Sequence, residues 1–111
     1  MIKSNYLKGI KISIISFIDN HQPGFVECIF CDAYGKEHVV QDKVPVVTKK
    51  DLDSNSEYPQ EGAIACEIVK EWHDQKGQKL FTVDTSKPWG IDTIEGLTRF
   101  GIFESQLTDL E

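Results

Sequence analysis

Two stretches of this chain repeat one layout. Residues 25–40 and 63–85 each alternate apolar and polar side chains, turn through a short polar segment holding a glycine, and return. The turn segments are Asp32, Ala33, Tyr34, Gly35, Lys36 and Asp74, Gln75, Lys76, Gly77, Gln78. Successive side chains on a strand point to opposite faces, and glycine supplies the positive φ that tight hairpin turns need. Each stretch therefore reads as an antiparallel β-hairpin. No interior segment keeps helical periodicity for three turns, so the remaining core must also come from strands.

Ahead of the first hairpin, Ile10, Ile12 and Ile14 lie at period two, and the apolar set then changes parity to Ile15 and Phe17. A one-residue parity change sends every later side chain to the other face, which predicts a bulge near Ile14 and Ile15 or burial on both faces. Asp19 to Gly24 is a cluster of turn-formers leading to Val26, Cys28 and Phe30, so the first two strands should pair. Val44 to Val47 contains Pro45, which cannot donate to a ladder, and this places the piece at an edge or a break. Residues 49–62 form a long polar loop with Pro59 and Gly62, and loops of such length are often functional. Beyond it, Ile64, Cys66, Ile68 and Trp72 share one face with Lys70 as the exception, and Leu80 to Thr85 returns. Ser86 to Gly90 makes a turn with Trp89 at its tip, a last strand is expected from about Leu97 to Phe103, and a helical turn at Ser105 to Leu110. The expectation is one all-β domain over residues 1–111. It is a small antiparallel barrel or two-sheet sandwich of about six strands with a short C-terminal helical turn.

A chain of 111 residues buries roughly two-thirds of its unfolded surface, enough for a core without disulfide or metal staples. Its most apolar N-terminal run, Ile10 to Ile18, contains Lys11, Ser13 and Ser16, and no stretch approaches the ~18 uninterrupted apolar residues of a membrane span. Three cysteines and no export pattern point to a reducing cytoplasm. The net charge is −6, unevenly spread. Residues 1–50 hold seven lysines against five carboxylates, and residues 51–111 hold five basic residues against thirteen carboxylates. A nucleic-acid role is disfavoured by this balance and by the presence of a single arginine, Arg99. An acidic surface instead steers a protein partner with a basic surface.

The residues with metal or catalytic chemistry do not assemble in the sequence. Cys28 and Cys31 have the spacing of half a zinc knuckle, with His38 and Cys66 as further soft ligands, but odd spacing within a strand sends the two thiols to opposite faces. Asp51, Asp53 and Asn55 match the first positions of a calcium loop, yet Ser56 and Gly62 stand where Gly and Glu are required. His73 beside Asp74, and His38 beside Glu37, are neighbours that a strand points apart. No catalytic residue, metal ligand or cofactor is assigned.

Aromatics on loops are pegs that cover a barrel end or anchors for a partner. Tyr58 and Trp89 are the candidates, with Asp53, Glu57, Glu61, Asp92 and Glu95 as an acidic rim. The function expected is a small non-catalytic protein-binding domain, one form being an acidic inhibitor or immunity-type protein. The alternative is a barrel that binds a small molecule or oligonucleotide, with Trp72, Phe81 and Trp89 as stacking surfaces.

Overall fold

The structure, a computed structural model, describes residues 7–19 and 23–110. Residues 20–22 of the expected first turn lie outside them. The elements in chain order are β1 (Leu7–Asp19), β2 (Phe25–Cys31), β3 (Glu37–Lys43), α1 (Val44–Val47), β4 (Gln60–His73), β5 (Lys79–Asp84), β6 (Arg99–Phe103), a 3-10 turn (Glu104–Gln106) and β7 (Leu107–Leu110). Ile10, Ile12 and Ile14 of β1 are buried. The parity change that follows is absorbed by a bulge: Ile14 stands opposite Cys28 but Ser16 opposite Glu27, so Ile15 is the extra residue. A further register shift, between Ile68 and Lys70 of β4, corrects the expected face: Ile68 stands opposite Val83, but Lys70 and Trp72 stand opposite Thr82 and Leu80, so the extra residue Val69 carries Trp72 to the other side of the sheet.

All pairings are antiparallel, in the order β3-β2-β1-β4-β5-β6, with β7 also on β1. β4 runs along one edge of β1 from Lys8 to Ile14. The opposite edge is divided, because β2 takes Ser13 to Asp19 and β7 takes Leu7 to Ile10. The result is an all-β, curled half-barrel. Its core includes Ile10, Ile14, Val26, Cys28, Ile64 and Ile102, each at most 1% exposed, and each contributes on the order of 2 kcal/mol of apolar burial.

The two outer strands, β3 and β6, are not paired in the sheet but are tied at a seam by turn and loop residues. Ala33 N–H donates to the Gly101 carbonyl (2.8 Å) and Ile94 N–H to the Val39 carbonyl (2.9 Å). Beneath them, the rings of Phe30, His38 and Phe100, from β2, β3 and β6, lie 4.7–5.1 Å apart between centroids. Gln106 closes the gap where β2 leaves β1: its amide donates to the Cys31 carbonyl (2.6 Å) while its Oε1 accepts the Phe103 N–H (2.9 Å).

Three local expectations change. Val44 to Val47 is a single helical turn, with Pro45 near its start where a missing N–H costs nothing. Val44 and Val47 both face the core. The turn seats directly on Gly62, where any Cβ would stand 2.7 Å from the Val47 carbonyl oxygen. The long loop ends earlier than residue 62, since Gln60 already belongs to β4. At the C-terminal end the helical turn is confined to Glu104–Gln106, and Leu107 to Leu110 is a strand on the free part of β1.

Candidate functional site

The segment carrying Trp89 is pinned on both sides. Asp84 accepts hydrogen bonds from the Ser86 N–H (2.9 Å) and hydroxyl (2.7 Å) through Oδ1, and from the Arg99 guanidinium (3.2 Å) through Oδ2. Gly90 N–H donates to the Ser86 carbonyl and Ile91 N–H to the Thr85 carbonyl, both at 2.9 Å. The buried Thr85 hydroxyl donates back to the Ile91 carbonyl (2.6 Å). With Ile91 locked in the core, Trp89 is held 51% exposed.

Trp89 lines an open groove of about 670 Å³, shared by four other parts of the fold. These are Lys11 and Ile12 of β1, Pro45 to Lys50 on and after α1, Glu61 to Ala63 of β4, and Thr108 to Leu110 of β7. The aliphatic side chains of Ile12, Pro45, Val46, Ala63 and Leu110 give it apolar surface. Its charges are three lysines, Lys11, Lys49 and Lys50, and two carboxylates, Glu61 and Asp109. Asp109 is ion-paired with Lys8, and the Lys50 ammonium donates to the Gln60 side-chain oxygen (3.2 Å).

The seven residues singled out in the sequence separate in space. Trp89 and Glu61 share the groove. Tyr58 is half-buried against the core and its hydroxyl donates to the Asp53 carbonyl (2.7 Å), so this ring is tied into the fold. Asp53 Oδ1 caps the Asn55 N–H (2.8 Å) within the same loop. Glu57 and Asp92 are exposed, and Glu95 is ion-paired with Lys36 (3.2 Å). Among the stacking candidates, Phe81 is buried in the core and the Trp72 indole N–H is bonded to Thr82 (3.2 Å), which leaves Trp89 as the ring in the groove.

One pair escaped the sequence. His38 Nε2 lies 2.7 Å from Asp32 Oδ2, with side chains only 3% and 10% exposed. A carboxylate accepts, so Nε2 carries the proton, and Nδ1 is left without a hydrogen-bond partner among the rings. Burial pushes the Asp32 carboxyl up, but hydrogen bonds from His38 and from the Lys36 and Tyr34 amides outweigh it and hold the group below its ordinary value. With the His38 ring buried and Asp32 at the surface edge, this pair acts as a structural fastening at the seam. The signal available was that Asp32 opens the turn and His38 stands opposite Phe30 on the apolar face.

Cys28 and Cys66 are buried and Cys31 is exposed, so the thiols of Cys28 and Cys31 do point apart. Burial pushes the Cys28 and Cys66 thiols up to about 12, helped at Cys28 by Asp42 and Glu27. The described residues hold no cluster of three or more His, Cys, Asp or Glu side chains arranged for a metal ion, and no helix long and apolar enough to cross a membrane. Compared with known family models, with curated proteins and with solved structures, the chain matches none.

Proposed function

We propose that this is a non-catalytic protein-binding domain that captures a segment of its partner in the groove beside Trp89. The observation that carries this reading is a half-exposed indole, fixed on a hydrogen-bonded turn, next to apolar surface in an open concavity. Such an aromatic is ordered before binding, so little side-chain freedom is lost when a partner covers it. The net charge of −6 supports a partner whose surrounding surface is basic. The groove volume also falls within the range of small-molecule sites, which supports a small ligand as the second reading.

Placing a photo-crosslinking phenylalanine analogue at position 89 and irradiating in the source cells tests it. A discrete protein adduct is expected from that position and not from the same label at Tyr34, which is 70% exposed at the seam. No adduct above the Tyr34 control overturns the reading. A rise in melting temperature with a small molecule alone, lost in Trp89→Ala, turns it to the second.

A further inference from the structure

We infer that the segment entering this groove is acidic: a short peptide whose carboxylates meet Lys11 and Lys49 and whose apolar side chain lies against Trp89. The inference rests on the protein-binding reading and adds the chemistry of what is bound. It starts from a local reversal of charge. The chain as a whole is at −6, yet lysines outnumber carboxylates along the groove. Asp109 is already answered by Lys8 from outside the lining, and Lys50 is occupied with Gln60. Among the described residues, neither Lys11 nor Lys49 has a hydrogen-bond or ion-pair partner, so two ammonium groups without a direct partner line the groove against one such carboxylate, Glu61. An anionic group brought there gains attraction from two ammoniums at once, a complementarity that selects partner and register.

The remaining wall charge narrows the class of anion. Glu61 lines the same groove, and it repels an unbroken row of phosphates more than carboxylates spaced along a peptide. Phosphate recognition draws on the guanidinium fork, and Arg99 is engaged with Asp84. The surrounding field of a −6 protein also limits how long an acidic ligand can be. A short segment mixing carboxylates with an apolar anchor satisfies the lysines, avoids Glu61 and uses Trp89.

A random peptide display library selected on the whole protein, with Trp89→Ala as the counter-target, tests this. Binders that require Trp89 are expected to be enriched in Asp and Glu and depleted in Lys and Arg. The double variant Lys11→Glu, Lys49→Glu should weaken a selected acidic peptide on the order of tenfold or more, with less dependence on salt. Trp89-dependent binders that are basic, or that show no charge bias, overturn the acidic assignment and leave the groove reading standing. If no binder depends on Trp89, the acidic assignment falls together with the groove. Both lysines are exposed, and the composition of peptides selected on the unaltered protein decides the matter even if the double variant fails to fold.

Discussion

The turns at Asp32–Lys36 and Asp74–Gln78 are built to one plan and used for opposite ends. In each, the aspartate N–H donates to the carbonyl four residues on, and the glycine N–H donates back to the aspartate carbonyl. In each, Oδ1 also accepts two amides, Tyr34 and Lys36 in the first and Lys76 and Gln78 in the second, all at 2.9–3.0 Å. Gly35 and Gly77 sit at φ 84° and 79°. The difference lies in the second carboxylate oxygen and in what surrounds it. Asp32 Oδ2 fastens the buried His38, and the first turn lies on β6. The second turn stands on a hairpin whose β4 residues from Glu67 to Glu71 are exposed. The turn geometry is local chemistry; whether it becomes part of the barrel is decided by one buried ring.

Replacing each aspartate separates these contributions. Asp32→Ala should cost about 3 kcal/mol, because it strips two amide acceptors and leaves the His38 Nε2–H buried without a partner. Asp74→Ala should cost about 1 kcal/mol, the loss of exposed turn bonds alone. Equal shifts in urea midpoint would show that His38 does not fasten the seam. The same contrast has a pH arm. The folded-state pKa of Asp32 is depressed, so its contribution is complete above the unfolded value of about 3.9 and is lost as pH falls through the folded value. The wild type should lose stability below about pH 4, and Asp32→Asn, weaker at neutral pH, should lose less over that range.

Smaller effects sharpen the likeness. A Cβ at either Gly35 or Gly77 meets nothing within 4 Å, so Gly35→Ala and Gly77→Ala should each cost about 1 kcal/mol from positive φ alone, and equally. Unequal costs would mean that the surroundings strain one turn. The smallest test leaves stability untouched. At neutral pH a disulfide reagent should modify Cys31, at the end of the first hairpin, quickly, while Cys28 and Cys66 react only as the protein unfolds.

What could be read from the chain followed how far each signal reached along it. The Ile14–Ile15 parity change marked a bulge, because a pleat has period two and any extra residue breaks it, whereas the shift after Ile68 was read as a lone exception at Lys70 and so put Trp72 on the wrong face. The third copy of the turn was missed. Thr93 N–H donates to the Leu97 carbonyl, Gly96 N–H to Thr93, and the threonine hydroxyl accepts the Glu95 and Leu97 amides. It takes Thr for Asp and is flanked by no alternating strands, so nothing around it announced a hairpin. The helical turn at Val44–Val47 was hidden because three β-branched valines and a proline favour extended chain, and only Gly62, far along the sequence, makes room for it. Leu107–Leu110 is too short to show a period and pairs because β1 has an open stretch of edge. The groove was least legible of all, being assembled from five separate segments, with only Trp89 and Glu61 of the seven singled-out residues lining it.

The division of one edge of β1 between β2 and β7 sets Leu7 directly across from Leu110. Entry and exit of the described chain are thus one strand spacing apart, about 5 Å, and a linker of a few residues would join them. New ends opened in the exposed turn at Asp74–Gln78 should give a permuted protein that folds to the same barrel and keeps Trp89 in place, since no ladder is cut. The same nearness would let the domain sit inside a surface loop of another protein without prying its host apart.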